Sequence, residues 1–213
     1  MILPSPVCSD DLLLVVDVQN DFCPGGALSV PDGNSVVPVV NRMTRMFPHV
    51  GFTQDWHPPG HVSFASSHGG KVPFQTITLP YGDQILWPDH CVPGTTGAEL
   101  HPDLDITRAE VIVRKGFNPS IDSYSAFYEN DRMTSTGLAG YLRDRGIRRL
   151  FLSGLATDFC VQWTALDARR ERFEVVVIAD AVRGIGLGDS VREAWTAMTG
   201  AGVLRINERD LAC

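Results

Sequence analysis

The chain has 213 residues, of which 44% are hydrophobic and 20% charged, values that supply a sizeable core and exclude extended disorder. A formal charge of −7, from 18 Lys and Arg against 25 Asp and Glu, excludes an electrostatic grip on nucleic acid or an anionic membrane and leaves a small molecule as the expected partner. The five cysteines, Cys8, Cys23, Cys91, Cys160 and Cys213, are odd in number and form no CxxC pair, so neither a disulfide framework nor a zinc knuckle is expected and a reducing cytoplasm is the natural setting.

The N-terminal stretch MILPSPVCSDDLLLVVDVQNDF has no basic region ahead of its apolar run from Leu12 to Val16. That run is too short for a secretory signal or a membrane span. It belongs to the first of a series of apolar segments, at 11–18, 49–55, 109–115, 148–155, 173–180 and 201–207. Runs that are apolar at successive positions suit strands covered on both faces, as in a parallel sheet. Helices are predicted between them at 34–46, 137–145, 158–170 and 190–199. In the second of these Leu138, Tyr141 and Leu142 share a face, and Gly146 closes the helix. This alternation predicts one three-layer, doubly wound α/β domain over 1–213, with right-handed crossovers and a six-stranded parallel sheet. Its ligand site is expected beyond the carboxyl ends of the strands. Residues 56–108 break the rhythm with Pro, Gly, His and aromatic residues, and are expected to form a long functional loop.

Four apolar segments end in a chemically distinctive group: Asp17, Asp55, Lys115 and, shortly after 148–155, Cys160. A parallel sheet gathers all four at one edge. Taken singly, Asp17 also suits a turn, Lys115 a solvated strand end, and a lone Cys a small buried hydrophobe. Together an acid, a base and a thiol point to covalent catalysis. Cys160 would attack a carbonyl, its thiolate favoured by the helix start and by Lys115. Asp17 would serve as general base, held by Lys115, and backbone N–H groups of the Leu155 to Cys160 turn would receive a tetrahedral oxyanion.

The segments DWHPPGH and WPDHCVPG carry a second constellation. Asp55 and His57, two apart in extended chain, project to one side, and His90 can reach the same point from the returning loop. Two imidazoles and a carboxylate suit one divalent ion such as zinc, iron or manganese; the same spacing also fits histidines that only hydrogen-bond the loop. His61 is a further candidate ligand, or a residue one shell out. His49, His68 and His101 are expected to be structural or solvated. Phe22, Trp87, Tyr124, Phe127 and Phe159 fall near the same edge, where they suit either core packing or a slot for a flat ring.

The segments VDVQNDFCPGGAL, TQDWHPPGHVSFASSHG, WPDHCVPGTTGAELHP, RKGFNPSIDSYSAF and GLATDFCVQWTALDA resemble the nicotinamidase branch of the isochorismatase-like cysteine hydrolase superfamily. The likeness extends over nearly the whole chain. It implies Asp17, Lys115 and Cys160 as catalytic residues and Asp55, His57 and His90 as metal ligands. It also implies a cis peptide before Ala156 and an oxyanion hole from the N–H groups of Ala156 and Cys160. The resemblance further implies a ring pocket from Phe22, Trp87 and Tyr124, with the pyridine nitrogen facing the metal. The activity implied is hydrolysis of nicotinamide to nicotinate and ammonia through a Cys thioester, in NAD salvage.

Two other readings use the same residues. One keeps the Asp-Lys-Cys set for another small amide, a carbamoyl or ureido compound; a ring slot facing a metal argues against it. The other is a non-catalytic metal- or thiol-binding protein with Cys160 as redox sensor; the lack of a resolving Cys close in sequence argues against it. No mark in the sequence separates a monomer from a homo-oligomer.

Overall fold

The computed structural model describes residues 6–211; Cys213 and the first five residues of the N-terminal stretch lie outside them. All six apolar segments form strands. These are β1 (Asp11–Val16), β2 (His49–Asp55), β5 (Val111–Lys115), β6 (Arg149–Leu155), β7 (Glu174–Arg183) and β8 (Leu204–Ile206), joined in one parallel sheet of order β5-β2-β1-β6-β7-β8. Every residue of β1 and β6 is buried, as a central strand covered on both faces requires. At the edge, β5 alternates between partly buried and exposed positions until Lys115, which is buried.

The helices are α1 (Val36–Met43), α2 (Leu138–Asp144), α3 (Gln162–Arg170) and α4 (Ser190–Gly200). The chain winds from β1 outward to β2 and β5, then restarts at β6 and winds the other way. Right-handed crossovers in opposite directions place α1 on one face and α2, α3 and α4 on the other, giving three layers. In α2, Leu138, Ala139 and Leu142 are buried, and Gly146 turns out of the helix at φ +74° while the N–H of Ile147 donates to Leu142 O.

Two local departures from the sequence expectation matter. The predicted loop contains a hairpin of β3 (Thr76–Leu79) and β4 (Gly82–Ile85), whose short alternating strands are masked by the surrounding Pro and Gly. The predicted helix 158–170 opens instead with a wide π-helical turn over Thr157–Val161, and regular α-helix begins only at Gln162.

The switch point lies between β1 and β6, where Val16 pairs with Gly154. Gly154 has φ +104°, and a Cβ there would stand 2.0 Å from Val16 O. Only glycine lets the two central strands approach so closely beside the site.

Candidate active site

Strand ends position the charged groups. Asp55 and Lys115 are direct partners in the β2–β5 register. Asp17 follows β1 in the left-handed region at φ +46°, a conformation that Asp tolerates better than most residues. Its N–H donates to Thr53 Oγ1 at 3.1 Å, and the Thr53 hydroxyl donates in turn to Asp17 Oδ1. Gln19 clamps the neighbouring strand end: its Nε2 donates to Asp55 O at 2.9 Å, and its Oε1 accepts the Asp55 N–H at 2.7 Å.

Lys115 Nζ stands at the centre, fully buried. It lies 2.8 Å from Asp17 Oδ2 and 2.8 Å from Asp55 Oδ1, donates to Ser123 O at 3.0 Å and reaches Cys160 Sγ at 3.4 Å. The contact with Asp17 Oδ2 is a buried ion pair, and a carboxylate oxygen so paired keeps a second lone pair for another proton. Burial opposes the charge on Lys115, but the two carboxylates outweigh it and hold the ammonium well above its usual pKa. Burial raises the Asp17 pKa; Lys115 opposes this and Asp55 adds to it. Two carboxylates on one ammonium leave one of them poised to take a proton.

Cys160 is brought into this cluster, in surroundings that oppose the lowered pKa expected from the sequence. Burial pushes its pKa well up, Lys115 counteracts part of this, and Asp17 and Asp55 push it further. The physical reason lies in the wide turn, which sets Cys160 inside a dry wall beside two anions rather than at the mouth of an α-helix. The sulfur stands within reach of the Lys115 ammonium and beside the Asp17 carboxylate.

On the other side of Asp55, its Oδ2 lies 3.0 Å from His57 Nε2 and 3.3 Å from His90 Nε2. The three ligand atoms all lie within 4.8 Å of one another. His57 Nδ1 bonds Gly116 O at 3.0 Å and His90 Nδ1 bonds Pro88 O at 2.8 Å. A carbonyl at Nδ1 fixes the hydrogen there and leaves both Nε2 lone pairs directed at the shared point, so the donor set fits a divalent ion. Gly116, at φ +71°, is required here because a Cβ would meet the His57 ring at 2.4 Å.

His61 stands apart from this set. Its Nδ1 bonds Ser63 Oγ at 2.7 Å and its Nε2 bonds Asn118 O at 2.8 Å, which occupies both ring nitrogens. It groups instead with His57 and Asp122. His49 pairs with Glu110, His68 bonds Val62 O and His101 accepts the Asp103 N–H, all in structural roles.

A narrow cleft opens beside the thiol and the His57–His90 pair. Phe22, Trp87, Tyr124 and Phe159 line it together with Ala156, Cys160, Asp55, His57 and His90. Trp87 meets Phe159 edge-on at 4.8 Å between centroids, and its indole N–H donates to the Tyr124 hydroxyl at 3.2 Å. The Leu155–Ala156 peptide is cis. Phe127 lies outside the slot and packs on Phe173 in the core. Several wall residues escaped the sequence reading: Leu28, Asp122 and Ile185. The DSYS segment was a signal for Asp122, an acid that opens a run of hydroxyl-bearing residues; Leu28 and Ile185 carry none, since an apolar residue on a Gly-rich loop is unremarkable.

The isochorismatase domain family matches residues 11–208. A nicotinamidase of Acinetobacter baylyi is 54% identical over 93% of each chain. Among solved structures, an Acinetobacter baumannii nicotinamidase/pyrazinamidase superposes with a TM-score of 0.95 at 53% identity, over 96% of this chain and 99% of that one. A Pyrococcus horikoshii pyrazinamidase in complex with zinc superposes with a TM-score of 0.76 at 38% identity, over 93% of this chain and 99% of that one.

Proposed function

The chain belongs to the isochorismatase family, and from that premise we propose that it hydrolyses nicotinamide to nicotinate and ammonia, a step of NAD salvage. The observation that carries the reading is a single buried cluster of Cys160, Lys115 and Asp17, whose thiol lines an aromatic cleft shared with Asp55, His57 and His90. A flat aromatic ring bearing a carboxamide suits a slot that brings a thiol and a candidate metal group together.

In this mechanism Phe22, Trp87 and Tyr124 flank the ring and set the carboxamide against Cys160. Asp17 takes the thiol proton, and sulfur adds to the carbonyl carbon. The N–H groups of Ala156 and Cys160 receive the developing oxyanion. The C–N bond breaks, and Asp17 returns its proton so that the amine leaves as ammonia. Water then adds to the thioester with Asp17 as base, nicotinate departs, and the thiol is restored. Lys115 keeps Asp17 oriented throughout. A resting thiol beside a raised-pKa carboxylate suits this order, because the proton moves only as sulfur attacks.

Asp55, His57 and His90 would hold one divalent ion, zinc, iron or manganese; when bound, the ion supplies a Lewis-acidic anchor for the ring nitrogen. We read the whole chain as one such domain acting in the cytoplasm on a small-molecule substrate. The free thiols Cys8, Cys23, Cys91 and Cys160 support a reducing setting, and among the described residues no helix is long and apolar enough to cross a membrane.

The deciding experiment is ammonia release from nicotinamide by the metal-loaded protein beside Cys160→Ala. Release by the parent and none by the variant, with unchanged circular dichroism, is the expected result. A silent parent overturns the substrate, and an active variant overturns the thioester.

A further inference from the structure

Between β7 and α4 the chain reads GIGLGDS over 184–190, a sequence with high conformational freedom that costs entropy to hold in place. It nevertheless supplies Ile185, a partly buried wall of the cavity. Asp158 supplies the restraint. Although it sits two residues before Cys160, its carboxylate reaches across to this segment. Oδ1 accepts the Ile185 N–H at 2.9 Å, while Oδ2 accepts the Gly186 N–H at 2.8 Å and the Ser190 hydroxyl at 2.5 Å. The approach is tight: a Cβ on Gly184 would stand 3.0 Å from Asp158 Oδ1 and 2.4 Å from the Val191 side chain.

We propose that Asp158 is a positioning residue that straps Ile185 to the turn bearing the nucleophile, making Ile185 the specificity-determining wall that admits unsubstituted six-membered aromatic carboxamides and rejects ring-methylated ones. The choice of substrate in this inference rests on the proposed nicotinamide hydrolysis. The strap joins two elements that the sequence separates by 27 residues, and it ties the reacting sulfur and the ring wall into one body. A carboxylate that accepts three hydrogen bonds is well suited to this, since ionised acceptors form the stronger and shorter bonds. Asp17, Lys115 and Cys160 are not among its partners, so loosening the strap should alter ring fit rather than proton transfer.

The test compares the metal-loaded parent, Asp158→Asn, Ile185→Ala and the double variant, with nicotinamide and a methyl-substituted nicotinamide as substrates. Amide hydrogen exchange is followed at 184–190 in the ligand-free protein. Each single variant should raise KM for nicotinamide about tenfold, the scale of one lost buried hydrogen bond, with kcat changed less than about twofold and the methylated amide better accepted. The double variant should be no worse than Ile185→Ala, because both act through one wall. Exchange at the Ile185 and Gly186 amides should accelerate in Asp158→Asn. Ser190→Ala, which keeps the carboxylate, should give a smaller change of the same kind if Asp158→Asn folds poorly. A fall in kcat at unchanged KM, additive effects in the double variant, or unaltered exchange would each overturn the inference. A parent inactive on nicotinamide overturns the proposed substrate instead, and the exchange result then decides the strap alone.

Discussion

Strand β1 begins at Asp11 and is followed by Asp17, and the two ends of the sheet treat the same side chain in opposite ways. At the amino end Asp11 meets Arg149 as a fork, Arg149 Nε donating to Oδ1 at 2.8 Å and Nη2 to Oδ2 at 2.6 Å, and the Cys8 N–H also donates to Oδ2 at 2.6 Å. One anion meets one cation, and the bond to Asp11 lifts the Arg149 pKa despite burial. At the carboxyl end Asp17 and Asp55 share the single ammonium of Lys115, and burial raises the Asp17 pKa. Burial is common to both ends; the count of partners differs. A matched pair is inert structure, whereas two carboxylates on one ammonium leave one of them able to take a proton.

The largest effect should come from neutralising the unmatched acid. Asp17→Asn should lower turnover about 10³- to 10⁴-fold, as expected for loss of a general base, without loss of thermal stability. The sign follows from linkage. Because the folded pKa of Asp17 is raised above the ordinary 3.8, ionisation costs stability as pH rises through that folded value. The Tm of Asp17→Asn should therefore exceed that of the parent at neutral pH, and the gain should vanish as pH falls through the raised pKa. A variant less stable than the parent at neutral pH would break the contrast between the two ends.

Next in size is the opposite experiment at the amino end. Asp11→Ala removes the forked acceptor of Arg149, which keeps its bond to Pro6 O, and should cost about 1.5–3 kcal/mol in denaturant unfolding, with kcat and KM unchanged. Loss of turnover in the folded variant would mean that the two ends are coupled. A smaller effect should follow from Gly116→Ala, whose Cβ would displace the His57 ring. Zinc affinity should fall about 10- to 100-fold, read by competition with a chromophoric chelator, and excess metal should restore turnover. Unchanged affinity would separate Gly116 from the metal group.

Much of this site is legible in the sequence because parallel strands end where their apolar runs end. Asp17, Asp55 and Lys115 are visible as polar residues that terminate such runs, and their convergence follows from the sheet being parallel. His57 and His90 are legible through their distinctive segments. Other features depend on approach between distant chain segments. The engagement of His61 with Ser63 and Asn118 removes it from the Asp55 group, and no spacing rule reveals that. The hairpin of β3 and β4 is hidden because four-residue strands carry too little periodicity. Burial shifts the Cys160 pKa in the direction opposite to the one a helix start and a nearby cation favour, and burial depends on the packed surroundings.

The sequence by itself determined the parallel sheet, the identity of the acid, the lysine and the thiol, and the family to which the chain belongs, since these reside in local runs and contiguous motifs. Only the packed fold decides that two carboxylates share one ammonium, that burial opposes ionisation of the thiol, and that Asp158 accepts the Ile185 and Gly186 amides. These depend on desolvation and on distances of about 3 Å between segments far apart in the chain, which only the packed fold defines.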